Sequence, residues 1–276
     1  MLLRRLTAAD TPALRALLAR DPISNCFVAA RIGSGTLDTW EVGGEFIGVF
    51  EEHELVSAMF HGANLVPIET TDATRAAMLQ SLRTTGRRCS SIVGNAEEVL
   101  ALWSELEEHW GPARELRAAQ PLLVIEHDSQ VEPDAHVRPV RIDELDTLLP
   151  ACVAMFTEEV GVSPIAQGAK ASYRARIAEL ISTGKALASM DDVGVVFKAE
   201  LGAATDEVCQ VQGVWVRPEL RGQGISVPGM AAVVQYARTH VSPIVSLYVN
   251  EYNTAARAAY ERVGFRQHST FATILF

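Results

Sequence analysis

The sequence predicts an α/β protein with a mixed, mostly antiparallel sheet that is flanked by helices and repeated in tandem. A strand, a glycine-rich loop and a helix follow one another between residues 208 and 239. A second strand and helix come next, an order that favours a parallel strand pair. Short apolar runs between residues 45 and 68 are typical of an antiparallel meander. The chain also opens on a pattern of residues that returns near residue 137.

The elements of the first half follow from apolar runs and the turn residues that bound them. The predicted strands are 45–50, 55–60, 64–68, 89–93 and 121–126. The predicted helices are 74–83 and 96–110, which contain neither proline nor glycine. In the second half, strands are predicted at 208–216 and 244–249, and a helix at 230–239.

A polar segment at residues 127–134, which contains Pro133, marks the predicted domain boundary. It divides the chain into residues 1–128 and 136–276. Both parts open on an apolar residue, an arginine, any residue and an apolar residue, at Leu3–Leu6 and at Val137–Val140. A polar cap and a helix follow each opening, which indicates a tandem duplication.

The segment from Val214 to Ser226 runs from an apolar strand through a glycine-rich loop into a helix. A loop that leads into a helix N-terminus presents unpaired N–H groups, to which the helix dipole adds partial positive charge. Such a site fits a pyrophosphate, and Gly222 and Gly224 leave room for close approach of the ligand. No Gly-Lys-Ser/Thr follows the glycines, and Gly-x-Gly-x-x-Gly is missing, so neither a Walker loop nor a Rossmann fingerprint is supported.

Two motifs in this order resemble those of the GNAT superfamily of N-acetyltransferases. Arg221-x-x-Gly224-x-Ser226 is similar to the Arg/Gln-x-x-Gly-x-Gly/Ala signature of that superfamily. Asn253 opens a helix-forming run in which Tyr260 follows seven residues later and Gly264 and Phe265 end it, as in the second motif. Asn is a good N-cap, and Gly suits the positive φ at a helix end. The resemblance covers residues 136–276.

The resemblance implies that acetyl-CoA lies between two splayed strands, 208–216 and 244–249. It also implies that Tyr260 is the general acid toward the leaving thiolate, since a phenol is protonated at pH 7. No metal is implied. The implied acetyl-CoA site comprises Val214, Trp215, Val216, Arg221, Gly222, Gln223, Gly224, Ile225, Ser226 and Asn253.

The general base is less clear from the sequence. Where histone-type relatives carry a glutamate before the phosphate loop, this chain has Gln210, which accepts no proton usefully. Glu200 and Glu207 are candidates. Glu158 and Glu159 are preferred, since the region after the first helix of the fold lines the acceptor site.

The first half resembles a degenerate GNAT-like unit, of a domain type found ahead of GNAT domains. Its order of elements agrees, but the place of the phosphate loop reads Pro-Ile-Glu-Thr-Thr-Asp at residues 67–72. The missing glycines and the two carboxylates oppose pyrophosphate binding. The alternative is an unrelated small α/β domain.

Composition restricts the partners further. The net charge of −10 argues against a nucleic-acid partner and suits a cationic amine, although acidity also serves solubility alone. No apolar run is long enough to span a membrane, and no signal-peptide core is seen. The four cysteines have no metal-ligand spacing and are expected as buried free thiols in the cytoplasm.

The sequence therefore predicts an acetyltransferase that moves an acetyl group from acetyl-CoA to a primary amine of a small molecule or a protein. A non-catalytic acyl-CoA sensor is the first alternative, which Gln210 favours and Tyr260 opposes. A different acyl donor is the second, and it depends on whether Trp215 points toward the acyl end. The acceptor, the role of the first half and a possible homodimer stay open.

Overall fold

The computed structural model describes residues 1–33, Gly35, Leu37 and 42–276, and the contacts within it form two compact units. Unit 1 comprises Met1–Leu123, Tyr248–Tyr252 and Gln267–Phe276. Unit 2 comprises Val124–Leu247 and Asn253–Arg266. The end of the chain thus belongs with unit 1, whereas the domain limits 1–128 and 136–276 stay a prediction.

The elements are numbered in chain order. The strands are β1 (Leu2–Arg5), β2 (Gly44–Glu51), β3 (Glu54–Gly62), β4 (Asn64–Ile68), β5 (Ser91–Asn95), β6 (Glu115–Ile125), β7 (Arg138–Pro139), β8 (Ala186–Asp191), β9 (Gly194–Ala204), β10 (Val208–Val216), β11 (Ile244–Tyr248) and β12 (Arg266–Leu275). The helices are α1 (Thr11–Leu18), α2 (Cys26–Ile32), α3 (Asp72–Thr85), α4 (Ala96–Trp110), α5 (Leu145–Val160), α6 (Lys170–Ser182), α7 (Ser226–His240) and α8 (Thr254–Val263).

Unit 1 is a mixed sheet in the order β1-β2-β3-β4-β5-β12-β6. Strands β1 to β4 pair antiparallel in chain order, β4 and β5 pair parallel, and β12 pairs antiparallel with β5. Successive residues of β3 serve opposite faces, as the pleat requires. Phe60 packs in the core with Leu14 of α1, and Met59 packs in the core with Met78 of α3.

Unit 2 is a mixed sheet in the order β11-β10-β9-β8-β7, in which only β10 and β11 pair parallel. Helices α5 and α6 cover one face, where Cys152, Ile177 and Trp215 share a buried core. On the other face, α7 packs closely on β9. A Cβ at Gly229 of α7 would lie 3.0 Å from ring atoms of Phe197.

The predicted α/β architecture, mixed and mostly antiparallel, is confirmed in both units. Strand 208–216 and helix 96–110 have the predicted limits, and α7 begins four residues before the predicted start at residue 230. Strand β6 begins six residues before the predicted start at residue 121, because its first half mixes polar and apolar residues. Strand β12 was not predicted, and its first five residues are polar. All four cysteines are buried and none is in a disulfide bond, as predicted. No helix in the described ranges has the length and apolar character of a membrane span.

Candidate active site

The parallel strands of unit 2, β10 and β11, separate part-way along their length. Strands β10 and β11 pair in parallel from Val208↔Ile244 to Gln210↔Ser246, and the pairing ends there. Strand β10 continues to Val216. Past Gln210, the backbone N–H and C=O groups of β10 that face β11 therefore have no hydrogen-bond partner on β11. A ligand with amide groups could pair with them.

The loop after β10 presents a cluster of free backbone donors. The N–H groups of Gly222 through Ser226 have no acceptor among the described residues. Helix α7 begins at Ser226, and its N-cap residue, Ile225, makes no side-chain cap. Since the helix dipole adds partial positive charge here, this end of α7 can bind an anion.

Gly222 and Gly224 give this loop its shape. Their φ angles are +76° and +79°, in the left-handed region that favours glycine. A Cβ built on either would meet nothing within 4 Å, so the space above both glycines is open. Glycine is therefore favoured at both positions for two reasons: it leaves room for close approach of a ligand, as predicted, and it tolerates the positive φ.

Arg221 does not point freely at the anion site. Its guanidinium donates to Glu158 Oε2 at 2.8 Å and to the carbonyl of Val216 at 2.9 Å. The other Glu158 oxygen accepts from the indole of Trp215 at 3.4 Å. Glu158 therefore ties the end of α5 to the phosphate loop, and both of its oxygens are engaged. Trp215 lies in the α5–α6 core, with 9% of its surface exposed, and does not point toward the splayed strands.

The second motif folds as the sequence predicts. Asn253 caps α8, and its Oδ1 accepts from the backbone N–H of Ala256 at 3.2 Å. Gly264 ends the helix in the left-handed conformation, with a φ of +112°. The asparagine amide group is exposed, so its Nδ2 can donate to a ligand.

Tyr260 is buried on α8, with 7% of its surface exposed and its ring 5.9 Å from that of Phe265. Its hydroxyl makes no hydrogen bond within the described part of the chain. Burial raises the pKa of Tyr260 well above its usual value, and the carboxylate of Glu159 raises it further. The phenol is therefore protonated at neutral pH, and two of the predicted catalytic residues, Tyr260 and Glu159, act electrostatically on each other.

Glu200, considered as a base, proves to be half of a buried ion pair. Its Oε1 lies 2.7 Å from Nζ of Lys198, and the two residues are 2% and 1% exposed. Burial opposes ionisation, but the Lys198 ammonium and Arg176 outweigh it and lower the pKa of Glu200. A carboxylate held in this way is a poor proton acceptor. Lys198 was not predicted as a site residue, although a lysine inside the apolar run of β9 is a signal of a partnered charge.

In the corresponding loop of unit 1, side chains accept from three backbone N–H groups, those of Thr70, Thr71 and Thr74. The backbone N–H and hydroxyl of Thr70 donate to Glu98 Oε2 at 3.3 and 3.1 Å. Thr71 caps α3, since its Oγ1 accepts from the N–H of Thr74 at 3.3 Å. Strands β4 and β5 pair in parallel only at their first residues, Asn64↔Ser91 and Leu65↔Ile92. Unit 1 thus has the parallel strand pair, but side chains already occupy three of the N–H groups at the corresponding loop.

Family comparison decides the class of the second half. Residues 184–265, from the start of β8 to the end of α8, match the Acetyltransferase (GNAT) family. The chain carries a GNAT acetyltransferase domain. Residues 44–148 match a Domain of unknown function (DUF4081). No curated protein matches the sequence.

Solved GNAT structures are similar along the whole chain. An acetyltransferase from the GNAT family from Colwellia psychrerythraea is 13% identical, with 100% of each chain covered and a TM-score of 0.60. A GCN5-related N-acetyltransferase from Sphaerobacter thermophilus is 18% identical, with 99% of this chain and 94% of that chain covered and a TM-score of 0.62. A tandem GNAT protein from the clavulanic acid biosynthesis pathway is 13% identical, with coverage of 99% and 98% and a TM-score of 0.56. At these identities the likeness concerns the fold, and it confirms the tandem GNAT fold.

Proposed function

We propose that the protein transfers an acetyl group from acetyl-CoA to a primary amine by direct attack. The GNAT domain supports acyl transfer in general. The observation that carries the proposal is the separated strand pair that leads into a loop with five free N–H groups, from Gly222 to Ser226. Five donors at a helix N-terminus suit the pyrophosphate of CoA, and the open strand edge suits the amides of its pantetheine arm.

The residues of the second motif suit the other end of the donor. In the proposed complex, Asn253 donates from its exposed amide to the pantetheine arm. Backbone groups of Val214 and Val216 hold the acetyl carbonyl and the adjacent amide. Tyr260 faces the sulfur of the thioester.

The reaction requires a neutral amine, because an ammonium with a pKa near 10 has no lone pair. The amine nitrogen attacks the carbonyl carbon, the C–S bond breaks, and CoA leaves as a thiolate. A thiol has a pKa of about 8.5, below that of the buried phenol. Tyr260 therefore stabilises the thiolate by donating a hydrogen bond, and the sulfur takes its final proton from water.

Glu159 is the proposed acceptor of the amine proton, directly or through water. Glu158, the other predicted base, is occupied by Arg221 and Trp215. We assign Glu158 the role of holding the phosphate loop against α5.

Calorimetric titration of acetyl-CoA and of free CoA tests the donor site. Gly224→Val should abolish binding, because its side chain fills the open space above the loop. Gly111→Val is the matched control, since Gly111 has the same φ of +79° and equally open surroundings but lies in unit 1. In each variant, the valine in the left-handed conformation should lower the free energy of unfolding by a similar amount, about 1–2 kcal/mol. Failure of the wild type to bind either ligand would contradict the proposal.

A non-catalytic acyl-CoA sensor is the second candidate. Gln210 favours it, because a carboxamide stands at the last β10–β11 pair, where the sequence analysis placed a family glutamate. The two candidates separate in an assay of CoA release with a panel of primary amines. Acetyl-CoA binding without release by any amine, and without an effect of Tyr260→Phe on binding, would favour the sensor.

A further inference from the structure

Strand β10 carries a β-bulge just past the end of its pairing with β11. Its register against β9 shifts between Gln212 and Trp215, so that Gly213 and Val214 lie opposite a single residue of β9. Gly213 has a φ of +60°, as the first position of a glycine bulge requires. Neither bulge residue has a partner residue on β9 or β11.

A buried ammonium holds this bulge. Nζ of Lys198 donates to the carbonyl oxygen of Gly213 at 2.9 Å and to Glu200 Oε1 at 2.7 Å. A Cβ at Gly213 would lie 3.2 Å from Lys198 Nζ, so glycine allows the ammonium to approach the backbone. Since Lys198 is only 1% exposed, these oxygen atoms replace the water that its side-chain nitrogen would otherwise bind.

The direction of the Gly213 carbonyl fixes that of the next N–H group. The peptide between Gly213 and Val214 is trans, so its C=O and N–H point in opposite directions. With the carbonyl turned toward Lys198, the N–H of Val214 must point away from Lys198. A rotated peptide would lose a charge-assisted hydrogen bond in a buried site, which is costly.

We propose that Lys198 is a positioning residue for acyl transfer, which locks the Gly213–Val214 peptide so that the Val214 N–H donates to the acyl carbonyl of the donor. The inference rests on the proposed function. Glu200 balances the charge of Lys198, and Gln212 supports Glu200 through a bond of 3.4 Å to its second oxygen. Lys198 itself does not touch the donor.

Isotope-edited infrared spectroscopy of acetyl-CoA labelled with ¹³C at the carbonyl tests this role. In the wild type, binding should move the carbonyl stretch to lower wavenumber because of the Val214 hydrogen bond. The double variant Lys198→Met with Glu200→Leu leaves no unpaired buried charge, which favours retention of the fold. The shift should disappear in this variant, and the preference for acetyl-CoA over free CoA should fall by about fivefold, the value of one hydrogen bond.

Tyr173→Phe is the matched control. Tyr173 is buried in the same α5–α6 core and donates to the carbonyl of Cys152 at 3.1 Å, not to the bulge. This control should keep the carbonyl shift of the wild type. A double variant that binds free CoA normally and keeps the full carbonyl shift would overturn the role of Lys198.

A second measurement needs no variant. In wild-type protein labelled with ¹⁵N-valine, the amide resonance of Val214 should respond to acetyl-CoA differently from free CoA. An identical response to both ligands would overturn the inference while leaving the donor site intact. Absence of any binding by the wild type would instead overturn the proposed function, so the two failures are distinguishable.

Discussion

Replacement of Tyr260 by phenylalanine removes a single hydroxyl from a buried position and leaves the packing in place. The ring stays against Phe265, and no hydrogen-bond partner within the described residues is left unsatisfied. The free energy of unfolding should therefore change by less than about 1 kcal/mol. Turnover should fall by about 10²–10³-fold, the usual loss when one preorganised hydrogen-bond donor to the transition state is removed, which corresponds to roughly 2.7–4 kcal/mol.

The assay compares CoA release under saturating amine and acetyl-CoA with the free energy of unfolding in denaturant. Tyr236→Phe is the matched control, because its hydroxyl donates to the Gly184 carbonyl at 3.1 Å, away from the second motif. The control should lose some stability and keep its turnover. If Tyr260→Phe retained the turnover of the wild type, the assignment of Tyr260 as donor to the thiolate would be wrong.

The pH dependence of stability gives an independent check on Tyr260. Its pKa is raised in the folded protein, so above pH 10 the unfolded chain loses the phenolic proton first. The stability from the neutral phenol is thus fully present below pH 10 and declines as the pH rises toward the folded pKa. Tyr260→Phe should remove the Tyr260 part of the alkaline decline, whereas Tyr173 and the buried thiols, whose pKa values are also raised, keep their own part. A decline identical to that of the wild type would contradict the burial argument.

Three further predictions concern an ion pair of unit 2, a helix–strand contact of unit 2 and the number of CoA molecules bound per chain. Glu144 is bound by the Arg138 guanidinium, which lowers the pKa of that carboxyl to about 2, so stability should be lost as the pH falls from about 4.3 toward 2. Glu144→Gln should abolish this acid dependence and cost about 1 kcal/mol at pH 7 in denaturant titrations, since the pair is partly exposed. Gly229→Val should lower the free energy of unfolding by about 1–3 kcal/mol, because its side chain collides with the buried ring of Phe197. Calorimetry should give one CoA bound per chain. A stoichiometry of two would refute the inference that the Thr70 loop of unit 1, whose N–H donates to Glu98, binds no pyrophosphate.

The sequence predicted elements well where local signals bound them. Helix α4 has the predicted limits because Asn95 caps its start and Gly111 follows its last residue. Strand β12 was not predicted. Its partner β5 lies far away in the sequence, with Phe271 opposite Asn95, and no local pattern marks that pairing.

In the candidate site, too, features with local signals were predicted, and contacts between residues far apart in the sequence were not. The glycine loop, Asn253 and Tyr260 follow from short motifs whose geometry is local. The tie between Arg221 and Glu158 joins residues far apart in the sequence. The contact of Lys198 with Gly213 depends on strand register, which periodicity alone does not fix.

The two helix N-termini, those of α3 in unit 1 and α7 in unit 2, differ in how their backbone N–H groups are satisfied. At α3, Glu98 and Thr71 accept from the N–H groups of Thr70 and Thr74, which stabilises the unit and leaves fewer donors for an anion than at α7. At α7, omission of a side-chain cap costs about 1 kcal/mol, and the glycines of the loop add conformational entropy to the unfolded chain. A bound pyrophosphate would supply the missing acceptors and return that stability. Stability and anion binding thus make opposite demands on the same helix end, and under the proposed function unit 2 is the one that meets the demand of donor binding.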